Sequence, residues 1–231
     1  MQEMAKRVSE GVTAKLNYDF ACNRGHSFGE YHVHGAVNEI ISANINPSEH
    51  LVRSGYAAPQ LRSGRVGRGR QPEIDFAIIK RATDHVEAVG EVKWAGSSHC
   101  KPNTILYDLI RLQLVANELR DSECFFILSG SKAKMDHLFS EIIFKSGTHC
   151  ILIRPGEASI APRSKGRLKS FPLSANRDHQ QAIDAYLAGL RRKLSMPPRL
   201  PDRLRTSFKD ASLSAPLDGR FQTYSWRVIP D

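Results

Sequence analysis

The chain has 231 residues, of which 41% are hydrophobic and 25% charged, the balance of a globular protein with one full core, or a core and an appendage. Lys and Arg number 33 against 24 acids, a formal charge of +9, which favours a polyanionic partner and nucleic acid before an anionic membrane. The longest apolar run, at residues 125–128, is strand-sized, and the N-terminus lacks an apolar signal core, so the expectation is a cytoplasmic protein that does not span a membrane.

Residues 4–16 mix charged and apolar types at loosely helical spacing, a pattern weakened by Gly11. From 30 to 44, Val33, Val37, Ile40 and Ile41 fall on one helical stripe that ends at Asn46-Pro47. His26, His32 and His34 lie just before or within this helix. His32 and His34 diverge at a spacing of two, so surface or capping roles are expected and no zinc is assigned. A short strand is expected over 51–56. The following L-R-S-G-R-V-G-R-G-R carries Arg62, Arg65, Arg68 and Arg70 among glycines with no acid, which reads as a surface loop able to contact phosphates.

Residues 71–95 contain two apolar, β-branched runs joined by R-A-T-D-H, the pattern of a β-hairpin. With residues 81–85 as a loop without a bulge, Lys80 faces Val86 and Asp75 falls opposite Glu91. Lys93, two residues further on, then shares their face. Two carboxylates that close repel each other unless a cation or proton lies between them, and a divalent metal is the usual answer.

Asn103 or Thr104 is placed to cap a helix over 105–119, which carries Ile105, Leu109, Leu112, Ala116 and Leu119 on its core side. Asp108 and Arg111, three apart, form either a surface ion pair or a contact to the site or substrate. A buried strand over 124–130, an amphipathic helix over 133–144 and a short strand over 150–154 follow. The basic stretch 161–169 holds Arg163, Lys165 and Arg167; a helix is expected over 179–194, a linker over 196–201, and a strand over 221–229 with Tyr224, Trp226 and Val228 on one face. Cys22, Cys100, Cys124 and Cys150 are widely spaced, which argues for reduced, mostly buried thiols. The expected fold is α/β with a mixed sheet flanked by helices. A main domain over 1–195 has its core at about 30–154, and the 196–231 extension docks its strand on that domain.

The P-E-I-D that ends in Asp75 and the E-V-K that ends in Lys93, on paired strands just before a helix, resemble the PD-(D/E)XK nuclease superfamily. The resemblance implies a restriction-endonuclease-like αβββαβ core between about residues 30 and 130. It implies Mg²⁺ (or Mn²⁺) held by Asp75, Glu91 and the Val92 carbonyl, with Lys93 assisting the attacking water. A further glutamate from the preceding helix is expected; Glu39 is preferred over Glu30, although Glu30 lies on the apolar stripe and Glu39 is turned away from it. The implied activity is hydrolysis of DNA phosphodiesters, probed along the backbone by the basic segments and by Arg111. A non-catalytic nucleic-acid-binding module and an RNA-directed nuclease are the alternatives, and a homodimer would suit double-strand cutting.

Overall fold

In the computed structural model, the described residues are 4–61, 72–140, 168–173, 200–211 and 220–231. The protein is an α/β fold whose mixed sheet is flanked by helices on both faces. Helix α1 (Met4–Ala21) and helix α2 (Glu30–Ala43) lead into three strands, β1 (His50–Ala57), β2 (Glu73–Lys80) and β3 (His85–Trp94). Helix α3 (Pro102–Glu118), strand β4 (Glu123–Ser131) and helix α4 (Lys132–Phe139) follow, then β5 (Leu168–Pro172), β6 (Arg203–Ala211) and β7 (Phe221–Val228). The spatial order is β1-β2-β3-β4-β7-β6-β5. Strands β3 and β4, joined through α3, are parallel, and the other neighbours are antiparallel. Strand β7 lies inside the sheet, between β4 and β6, so β6 and β7 belong to the same sheet as the first four strands.

Side-chain alternation divides the core. Val89 of β3 and Phe126 of β4 pack with Ile105, Leu109 and Leu112 of α3 and Met135 of α4. Ala88, Val92 and Trp94 of β3 pack on the opposite face with Val8, Val12 and Leu16 of α1 and Val33, Val37 and Ile41 of α2. Both faces of the central strands are therefore covered, which is why their sequences are apolar on both parities.

Helix α1 continues well past the weakening glycine. A Cβ at Gly11 would stand 2.8 Å from the Cδ1 of Ile40, so this residue sets how closely α1 and α2 cross. Gly90 has a similar function in the sheet, where a Cβ would lie 2.3 Å from the ring of Phe76. Its absence admits the Phe76–Phe125 ring contact, with centroids 5.1 Å apart.

The hairpin differs from the expected one in two ways that cancel. Lys80 faces His85 rather than Val86, because the turn holds one residue fewer, with Asp84 in the left-handed region at φ 53°. The pairing then passes from Ile79–Val86 to Ile78–Ala88, so Glu87 is the extra residue of a β-bulge. From there Ala77–Val89 and Phe76–Gly90 follow the anticipated register. The start of α3 also differs. Lys101 is its N-cap, Pro102 opens the helix, and Thr104 reaches back to accept the Lys101 N–H at 3.0 Å, so neither Asn103 nor Thr104 is the cap.

Cys22, Cys100 and Cys124 are free thiols. Burial pushes both Cys100 and Cys124 up to about 12, so neither supplies a thiolate nucleophile near neutrality. Cys150, the strand expected over 150–154 and the helix expected over 179–194 lie outside the described residues. Among those residues no helix is long and apolar enough to cross a membrane.

Candidate active site

The β2–β3 ladder stops at Phe76–Gly90. One step beyond, Oδ2 of Asp75, rather than a backbone carbonyl, accepts the Val92 N–H at 2.7 Å. Side chains from both helical layers reach this end of the sheet. Helix α2 supplies Glu30 and His34, one turn apart on the same side. Helix α3 supplies Asp108 and Arg111 from the other layer.

Glu91 follows the parity of Val89 and points into the α3 layer, where it is 1% exposed. Its Oε1 lies 3.1 Å from Nη1 of Arg111. The same nitrogen donates to Oδ1 of Asp108 at 3.2 Å, and the second terminal nitrogen donates to the Glu73 carbonyl. Lys93 places its Nζ 3.1 Å from Oδ2 of Asp108 and 3.6 Å from Oε1 of Glu30. His34 places Nε2 3.7 Å from Oδ2 of Asp75. Glu30, Asp75, Glu91 and Asp108 thus surround two permanent cations, Lys93 and Arg111.

The electrostatics follow from that crowding. Burial, reinforced by the charges of Asp108 and Asp75, raises Glu91 well above the usual carboxylate range, against the pull of Arg111 and Lys93. Burial likewise raises Asp108, with Lys93 and Arg111 opposing it. Burial alone would lower Lys93, but the carboxylates of Asp108, Glu91, Asp75 and Glu30 outweigh it and hold the amine well above the ordinary lysine value. Lys93 is therefore a fixed cation rather than a proton acceptor. Oε1 of Glu91 and Oδ2 of Asp108 are buried and met by the charges of Arg111 and Lys93 at 3.1 Å, while Nε of Arg111 and Nε2 of His34 are buried without a hydrogen bond.

Asp75, Glu91 and Lys93 do come together at the end of the hairpin. Glu39 does not join them: it is 64% exposed and pairs with Lys15 of α1 at 3.3 Å, while Glu30 occupies the position expected of the helix glutamate. Helical rotation is the reason, since Glu39 lies off the stripe that faces the sheet. Arg111 is 8% exposed and its two terminal nitrogens are engaged within the site, so it is not a surface contact for phosphate, and its pairing with Asp108 is a buried one. The histidines are not confined to surface or capping roles either. His32 reaches the buried Asp19 of α1 at 3.3 Å and His34 reaches Asp75, whereas His26 remains exposed. Asp108 and His34 were the residues whose part in the site was hardest to read. The i, i+4 spacing of Glu30 and His34 was the signal available for the latter. Arg62, Arg65, Arg68, Arg70, Arg163, Lys165 and Arg167 lie outside the described residues.

Among the described residues no three His, Cys, Asp or Glu side chains are spaced to hold an ion as they stand, because Arg111 and Lys93 occupy the space between the acids. The donor type nonetheless suits a hard divalent cation: carboxylate oxygens, those of Glu91 and Asp108 buried and those of Asp75 and Glu30 partly exposed, with more acidic than permanently cationic groups among them. No family model, curated protein or solved structure matches the chain.

Proposed function

We propose that the protein is a Mg²⁺-dependent nuclease that hydrolyses DNA phosphodiesters, with Asp75 and Glu91 holding the ion and Lys93 at the phosphate. The observation that carries this reading is the meeting, beyond the last β2–β3 pair, of two strand-borne acids with a lysine kept protonated by four carboxylates. The order α2-β1-β2-β3-α3-β4 adds support, because it is the αβββαβ order implied by the PD-(D/E)XK resemblance. Mg²⁺ commonly takes only one or two protein carboxylates and completes its shell with water and substrate phosphate, so a three-residue cage is not required.

When bound, the ion lowers the pKa of a coordinated water and neutralises charge on the reacting phosphate. The chain's own residues do the rest. The Val92 N–H fixes the Asp75 carboxylate. Arg111 counters the burial that would neutralise Glu91. Asp108 and Glu30 hold Lys93 from two sides, so its charge is positioned for the negative charge that develops as the phosphodiester opens. The net charge of +9 favours approach of a polyanion, and the arginine-rich stretches at 62–70 and 161–167 are the natural backbone contacts.

The test is cleavage of single-stranded, duplex and branched DNA, and of RNA, in Mg²⁺ or Mn²⁺, with a chelator control. Cutting that is lost in Asp75→Ala and Lys93→Ala while binding persists is expected, and absence of cutting on every substrate overturns the proposal. A second reading, a nucleic-acid-binding module without catalysis, draws on the pairing of Glu91 with Arg111, which compensates the acid internally. It requires salt-sensitive binding that is indifferent to metal.

A further inference from the structure

We infer that a nucleic-acid backbone is gripped beside the site by Arg24, Lys132, Lys134 and Arg220, a cationic rim separate from the arginine-rich stretches; the inference rests on the nucleic-acid reading above and is independent of any ion. The four come from three elements that meet at one end of the sheet. The Lys132 N–H donates to the Arg220 carbonyl at 2.9 Å, where α4 begins and β7 is about to start. The Arg220 guanidinium lies over the ring of Phe20, 4.8 Å from its centroid, in the last turn of α1, and Arg24 follows just after that helix, 64% exposed. The rings of Trp94 and Phe221, the chain neighbours of Lys93 and Arg220, stack with centroids 6.0 Å apart, and Phe28 meets them at 6.3 and 4.8 Å. This packed floor fixes the rim relative to Lys93. The start of β7 stands two strands across the sheet from β3, about 10 Å at the usual strand spacing.

Charge sets the choice of partner. All four cations are exposed. Among the described residues, the acids nearest to them in the chain are Asp19, which is buried, Glu30, which turns to Lys93, and Asp136, which is exposed. At the opposite ends of β2, β3 and β4 the signs are mixed: the exposed Lys80, Arg81 and Arg120 stand among Asp84, Glu118 and Asp121. Of the two ends, the one that holds Lys93 offers a polyanion the less compensated row of cations. Because the rim continues from the site, one strand can place a phosphate at Lys93 and its neighbours on the rim.

The full chain is titrated into labelled single-stranded DNA, duplex DNA and RNA in a chelator, which prevents cutting, over a range of salt concentrations with fluorescence anisotropy as the readout. The double variant Lys132→Gln, Arg220→Gln is compared with Lys80→Gln, Arg120→Gln, the same loss of charge at the other end, and thermal melts confirm folding. We expect the first to weaken binding at least about 10-fold at about 0.1 M salt, and the slope of log affinity against log salt to become shallower by about 1.4 for a single strand or about 1.8 for duplex DNA, the effect of two phosphate contacts. The second should change affinity less than about threefold, because charges beyond a Debye length from the strand are screened. On the wild type, bound nucleic acid should protect Lys132 and Lys134 from acetylation, read by mass spectrometry, and leave Lys80 reactive; this result needs no variant to fold. Equal losses for the two double variants, or equal protection of Lys80 and Lys132, overturns the rim while the nucleic-acid reading stands. A wild type that binds no nucleic acid overturns both.

Discussion

Two buried acid clusters flank helix α2, and they differ in how their charge is balanced. Asp19 of α1, 2% exposed, faces Lys15 at 3.5 Å, Arg24 at 3.3 Å and His32 at 3.3 Å, so one buried carboxylate meets three basic groups from its own helix, the following turn and α2. At the end of β3, Glu30, Asp75, Glu91 and Asp108 share Lys93 and Arg111. Each cluster receives one histidine from α2, two residues apart. The first sets three basic groups around one buried carboxylate, the arrangement expected of a structural ion network. The second sets four acids around two permanent cations, and that excess of acidic over basic groups is the arrangement expected of a site completed by a ligand.

The largest expected effect breaks the second cluster alone. Asp75→Ala or Lys93→Ala should reduce cleavage by at least about 100-fold, the scale of removing one preorganised charge-stabilising group. Asp19→Asn should leave cleavage per folded molecule within about threefold, since Asp19 touches none of the reacting groups. Initial rates on the best substrate, normalised to folded protein, make the comparison. Equal losses for Asp19 and Asp75 would remove the distinction between the clusters.

The next effect concerns pH. Glu91 is raised above its unfolded value by burial and by Asp108 and Asp75, so the folded, metal-free protein holds a proton there more tightly than the unfolded chain does. Its contribution to stability is full below the unfolded carboxylate range and is lost as pH rises through the folded value. Divalent ions compete with that proton. Affinity for Mn²⁺ should therefore increase as pH rises, and the thermal shift caused by Mn²⁺ should grow between about pH 5 and about pH 8. A shift independent of pH would place the ion away from Glu91.

Much of the hairpin was legible in the sequence because apolar runs on both parities leave few alternatives to buried, paired strands. The register of Asp75 survived through compensation: the turn is one residue short, and the bulge at Glu87 restores the count. Helices α2 and α3 were legible from their stripes. Strand β6 was not anticipated between the linker and the last strand, although Leu204, Thr206 and Phe208 alternate in R-L-R-T-S-F. Arg205 in fact bonds the Pro230 carbonyl and gives its N–H to Gln113, so its polarity is used inside the fold. The site was legible where one strand pair fixes it and not where separate layers meet. Which α2 residue reaches Lys93, and whether Asp108–Arg111 is buried, depend on how α2 and α3 sit on the sheet, and no local spacing encodes that.

A smaller effect measures the first cluster. Asp19→Ala leaves Lys15, Arg24 and His32 without their shared carboxylate and should cost about 1–3 kcal/mol. The lower end applies because Arg24 is 64% exposed and its charge remains solvated. Denaturant titration reads this value. A loss below about 0.5 kcal/mol would mean that the network is no more than a surface decoration.

The smallest expected effect decides between the two glutamates of α2. Glu39→Gln removes one solvated partner of Lys15, which keeps Asp19, and should change stability by less than about 0.5 kcal/mol with cleavage unaltered. Glu30→Gln removes one of the carboxylates that hold Lys93, while Asp108 still contacts its Nζ at 3.1 Å. Cleavage should fall by about 10-fold, less than for loss of Lys93 itself, because the cation persists and only its placement loosens. The two substitutions are the same chemical change on the same helix, so rotation about the helix axis is the variable under test. Unequal effects in that direction show that α2 presents its N-terminal turn to the reaction; unequal effects in the opposite direction would require α2 to turn its Glu39 side toward β3.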